Sequence, residues 1–153
     1  MGVLLAVDLG LKTGVALFGR DGRLISYRSQ NYGSAARLRR GVPGVLNGEP
    51  DLAWLVLEGG GPLARIWETE AERREIGVRR IAAEDWRRCL LYPREQRHQP
   101  KRTAQALARR VITWSDAPRP TSLRHDAAEA ILIGLWGVLD LGWLDRVPDD
   151  VRR

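Results

Sequence analysis

Cysteine is almost absent from this 153-residue chain, where Cys89 stands alone. A lone thiol excludes a disulfide framework and any thiolate metal cluster. Lysine is nearly as scarce: two of the 25 basic residues, Lys12 and Lys101, so arginine carries almost all the positive charge. No apolar run approaches the roughly 20 residues of a membrane span, and the amino terminus lacks the basic-then-apolar order of a signal peptide. Repeats and low-complexity segments are missing too. These absences predict a protein of a reducing cytoplasm with no membrane partner.

What is present is more pointed. The length predicts one domain, residues 1–153, with one core large enough to fold without staples. The net charge of +6 favours a polyanionic partner, because cationic side chains that neutralise phosphates release condensed counterions.

The apolar pattern predicts a continuously apolar strand over 3–8, a second over 13–18, a hairpin turn at Asp21-Gly22 and a third strand over 24–29. A basic helix is expected over 34–40, ended by a breaker zone that contains Gly41, Pro43, Gly44, Gly48 and Pro50. A strand over 52–57 runs into Glu58, then "GGGP" opens a helix over 62–76. A strand over 78–83, a short helix through "EDWRRCLL", a polar loop over 92–100 and helices over 101–114 and 122–141 complete the chain. Cys89 is expected in the core. The order predicts an α/β fold: a mixed sheet, made of an antiparallel three-strand meander plus parallel strands, flanked by helices.

Four carboxylates interrupt apolar segments. Asp8 ends the first strand and Glu58 the fourth, while Asp126 and Glu129 open the most apolar helix, which carries no further charge until Asp140. By itself Asp8 reads as a turn residue, as part of a phosphate cradle with Gly10 and Gly14, or as a metal ligand. The (i, i+3) spacing puts Asp126 and Glu129 on one helix face, and His125 shares it with Glu129 at (i, i+4). The helix dipole accounts for Asp126, at about 0.3–1 kcal/mol, but not for Glu129 further in. Buried carboxylates need cations, donors or protons. Ligands collect outside the carboxyl ends of strands in α/β sheets. Four acids gathered there predict hard-cation chemistry of the Mg2+ kind, and the basic charge supplies a phosphodiester substrate. The lack of a P-loop pattern, and a length that holds one domain, count against an ATPase.

"LAVDLGLKTGVALF", "WLVLEGGG" and "RHDAAEAILIGLWG" resemble the acidic motifs of RuvC-type Holliday-junction resolvases, within the RNase H-like superfamily. "EDWRRCLL" and "KRTAQALARRVI" resemble the segments between the second and third motifs, so the resemblance spans essentially the whole chain. It implies an RNase H-like fold and a homodimeric, Mg2+-dependent endodeoxyribonuclease that cuts four-way DNA junctions in recombination and repair. It further implies that Asp8 bridges two Mg2+ ions, with Glu58 on one side and Asp126 and Glu129 on the other, and that Mn2+ substitutes. Lys101 falls where the family uses a lysine near the scissile phosphate. The chain departs from the family in its last motif, usually two aspartates or a histidine and an aspartate three apart. Here Asp126 and Glu129 follow His125, leaving either His125 or Asp126 as the ligand. A "GRADK"-like basic segment is replaced by "REQRHQPKRT".

Lys12, Arg87, Arg94, Arg97, Lys101 and Arg102 are the expected phosphate contacts, with Trp86 and Tyr92 placed to stack a base. His98 reads as an exposed loop residue. Ile66 and Trp67 are dimer-interface candidates by analogy, and the glycines after Asp8 are expected to admit a nucleic-acid backbone. Two other functions fit the same residues: a YqgF-type RNA-processing nuclease of the same superfamily, and a non-catalytic nucleic-acid-binding module whose acids are structural.

Overall fold

The computed structural model describes residues 2–152. Strands β1 (Val3–Asp8), β2 (Lys12–Phe18) and β3 (Leu24–Asn31) form the expected antiparallel meander, and β4 (Leu52–Glu58) and β5 (Gly77–Ile81) add in parallel beyond β1. The sheet order is β3-β2-β1-β4-β5. The first strand is apolar from Val3 to Val7 because both its faces are covered, and alternation assigns each residue a side. Leu4, Ala6, Phe18 and Val56 face a core built with the long helix α6 (His125–Asp140). Leu5, Val7, Leu17, Leu55 and Leu57 face the opposite core, built with α1 (Ala35–Asn47) and α2 (Gly61–Arg73).

Helix α1 runs seven residues past its expected end, through Gly41, Pro43 and Gly44. Packing overrides the breakers here. Leu38, Val42 and Leu46 recur every fourth residue and are all buried against the sheet, which outweighs the roughly 3 kcal/mol interior penalty of proline. Gly41 is a seat for Tyr32, whose Cε1 would lie 2.6 Å from an added Cβ. Helix α2 stops at Arg73, short of residue 76, and a single-turn helix α4 (Pro93–Arg97) occupies the expected loop.

Three side chains differ from expectation. Cys89 lies on the exposed side of α3 (Ala83–Leu90) rather than in the core. Ile66 and Trp67 are 8% and 0% exposed, packed under α2 against the sheet of their own chain, so neither offers interface area. Helix α5 (Pro100–Ser115) packs beside α6, and a short α7 (Asp149–Arg152) packs on α5. No helix among the described residues is long and apolar enough to cross a membrane.

Candidate active site

Three elements bring the four carboxylates to one edge of the sheet. Because β1 and β4 are parallel neighbours in register, Asp8 stands directly beside Glu58. On the other flank Asp8 pairs with Gly14 of β2. There α6 comes in close: a Cβ on Gly14 would overlap the backbone oxygen of Asp126. Gly134, further along α6, lies against the Phe18 ring in the same manner. Small residues at these contacts let the amino terminus of α6 settle on the sheet and carry Asp126 and Glu129 to Asp8. The close approach expected of a nucleic-acid backbone at the glycines is made at Gly14 by the chain's own helix.

Each acid except Asp8 has turned to a donor of its own. Glu58 Oε1 accepts a hydrogen bond of 2.7 Å from the indole Nε1 of Trp86. Asp126 Oδ2 accepts one of 3.2 Å from the Ser29 hydroxyl. Glu129, 7% exposed, lies 3.1 Å from His125 Nε2 and 3.8 Å from Arg87 Nη2. Burial, foremost, pushes the Asp8 carboxyl up to about 8, and Glu129, Glu58 and Asp126 push it the same way. Burial likewise raises Glu129, with His125 and Arg87 opposing and the neighbouring acids adding to it. Near neutral pH Asp8 therefore holds its proton against three neighbouring carboxylates, as crowded acids must.

Among the described residues no set of three or more His, Cys, Asp or Glu side chains stands in metal-ligating geometry. The donor set still fits a hard divalent cation. All four acids supply oxygen, and the crowding of acids that adds to burial in raising Asp8 is what such a cation relieves.

The remaining expected site residues fall into two groups. Arg87 sits at the acids, its guanidinium also 5.3 Å from the Trp86 ring centroid. Lys12, Arg94, Arg97, Lys101 and Arg102 are exposed and make no ion pair among the described residues. Arg94 lines a cavity with Arg110 and Arg152, and Lys101 stands in the first turn of α5. Trp86 is a correction. It is 1% exposed, its ring in the core beside Leu90, so it holds Glu58 and cannot stack a base. The (i, i+4) pair Trp86 and Leu90 is the sequence signal of that burial. Tyr92, 57% exposed, remains available. Ser29 carried no local signal, since its contact with Asp126 joins positions 97 apart.

Among solved structures, the fold has counterparts. Thermus thermophilus RuvC matches with a TM-score of 0.65 at 16% identity, over 92% of this chain and 96% of that one. T. thermophilus RuvC in complex with a Holliday junction substrate matches with a TM-score of 0.64, also at 16% identity, over 93% and 97%. The chain is folded like RuvC. The mixed sheet flanked by helices is thus the RuvC, RNase H-like architecture. No protein-family model matches the chain, and no curated protein matches its sequence.

Proposed function

We propose that the chain is a single-domain, metal-dependent, structure-selective DNA endonuclease that cuts four-way junctions. The observation that carries this reading is the gathering of Asp8, Glu58, Asp126 and Glu129 around one buried carboxyl at the strand ends. Its support is a fold shared with a protein solved in complex with a Holliday junction, together with the net charge of +6. Asp8, Glu58, Asp126 and Glu129 would hold Mg2+, or Mn2+ in its place, with His125 as a further candidate ligand. A bound pair of such ions supplies an activated water and stabilises the leaving oxygen in phosphodiester hydrolysis.

The chain's own residues prepare for this chemistry. Trp86 fixes one oxygen of Glu58, His125 and Arg87 hold Glu129, and Ser29 holds Asp126, so the acids are oriented before substrate arrives. Lys101, Arg94, Arg97 and Arg102, with Lys12 across the sheet edge, are exposed cations free to meet the phosphates of branched DNA. A homodimer would match its two-fold symmetry to that of the junction. The chain would work among nucleic acids in the cytoplasm, in recombination or repair.

The test is a cleavage panel in Mg2+ and in Mn2+ containing synthetic four-way junctions, forks, flaps and structured RNA, with cut sites mapped. Paired symmetric nicks in the junction are expected, with Asp8→Asn or Glu58→Gln abolishing them while junction binding persists. Preferential cutting of structured RNA would instead favour the YqgF-type reading. No cutting of any nucleic acid, with saturable Mn2+ binding absent, would leave a non-catalytic binding module.

A further inference from the structure

Beside the acids runs a groove of about 340 Å³, walled on one side by edge strand β3 and on the other by the linker between α5 and α6. Tyr27, Arg28 and Ser29 come from the strand, and Arg119, Ser122 and Arg124 from the linker. We propose that this groove is the track for the sugar–phosphate backbone of the strand being cut, next to the reacting phosphate. The inference rests on the nuclease reading above and adds to it a specific surface.

Charge is the first argument. Arg119 and Arg124 are exposed, and neither has an acidic partner among the described residues. By contrast Arg65, Arg73, Arg74, Arg79, Arg80, Arg87 and Arg88 all lie within 4.0 Å of a carboxylate. No Asp or Glu lines the groove. Discouraging strand pairing on an exposed edge accounts for Arg28, which pairs with Val15 of the opposite core and so directs its side chain to the other face of β3. It does not account for Arg119 and Arg124, which reach the groove from a different segment. Two uncompensated guanidiniums with the Ser122 hydroxyl between them offer a donor set for phosphodiesters.

Position is the second argument. The Ser29 hydroxyl that lines the groove donates to Asp126 Oδ2 at 3.2 Å, so the groove opens one hydrogen bond from the carboxylates. Rigidity is the third. The linker is tied to the strand by the Tyr27 hydroxyl on the Pro118 carbonyl, just past a bond of 3.0 Å from Leu24 N to Ser115 Oγ at the end of α5. It is tied to α5 by Gln105 Nε2 on the Leu123 carbonyl at 2.8 Å. Pro118 and Pro120 remove further freedom from the chain between these ties. The wall therefore stands ready-made, and ordering it costs little on binding.

The experiment compares the double variant Arg119→Gln/Arg124→Gln with Arg39→Gln/Arg40→Gln on α1, which loses the same charge from another surface. Binding of a fluorescein-labelled synthetic four-way DNA junction is measured by anisotropy without Mg2+, across a salt series, after circular dichroism shows both variants folded. The groove variant is expected to lose about tenfold or more in affinity, and the slope of log affinity against log salt should shrink by about 2, one step per lost phosphate contact. The α1 variant should shift that slope by less than 1. Equal losses in the two variants would mean diffuse attraction only and overturn the proposal, as would a groove variant that binds like wild type. If the wild type cuts junctions while the groove variant binds normally, the track alone is wrong. If the wild type binds no nucleic acid, the nuclease reading fails and the track falls with it.

Discussion

Trp86 donates its indole N–H to Glu58 Oε1 over 2.7 Å, from a ring that is 1% exposed. A buried donor at one oxygen of a metal-ligand candidate decides which oxygen is left to face the site. Replacing Trp86 by Phe keeps most of the apolar volume and removes the donor. Hydrogen bonds to charged groups contribute about 1.5–3 kcal/mol, and comparable outer contacts of metal ligands carry about 10–100-fold in affinity or activity. Trp86→Phe should therefore remain folded, bind Mn2+ at least tenfold more weakly by calorimetry, and cut proportionately more slowly. Wild-type Mn2+ affinity in Trp86→Phe would show that the indole only fills space.

How much of this was legible in the sequence depends on which interaction fixed each element. The apolar runs of β1 and β4, each closed by an acid, announced both the central strands and the carboxylate pair that their parallel register brings together. The (i, i+3) spacing announced Asp126 and Glu129. What local pattern concealed were the contacts that cross long sequence separations. Burial of Leu38, Val42 and Leu46 carries α1 through Pro43, and no propensity scale contains that. The chemistry of Trp86 suggests a stacking residue, whereas its (i, i+4) partner Leu90 places it in the core. The same cause hid Ser29, and with it the groove along β3.

The raised carboxyl of Asp8 makes a pH prediction whose sign is fixed. Its ordinary value is 3.8 and its folded value about 8, so between the two the folded state holds a proton that the unfolded state has released. Stability from this group is present below about pH 4 and is lost as pH rises towards 8. Glu129, also raised, adds in the same direction. Metal-free protein should thus melt at a falling temperature from about pH 5 to about pH 8.5, at about 2–4 °C per kcal/mol for a chain of this size. Asp8→Asn should flatten that slope and melt higher than wild type at the alkaline end. Parallel melting curves for the two proteins over this range would refute the raised carboxyl.

Two glycines separate close approach from mere helix weakness. A Cβ on Gly14 would overlap the Asp126 backbone oxygen, whereas a Cβ on Gly44, inside α1, meets nothing within 4 Å. Gly44→Ala should stabilise by about 0.5–1 kcal/mol, because alanine loses less backbone freedom in a helix. Gly14→Ala is the same chemical change with the opposite expected sign, since the clash is with backbone on α6 and no flexible side-chain end can yield. Overpacking of this kind costs about 1–3 kcal/mol. The cost should also appear at the site, because relief requires the first turn of α6 to lift and carry Asp126 and Glu129 away from Asp8. Paired melting curves and Mn2+ titrations measure both effects. A Gly14→Ala protein as stable as wild type, with undiminished Mn2+ affinity, would mean that the seating of α6 on β2 does not set the spacing of the carboxylates.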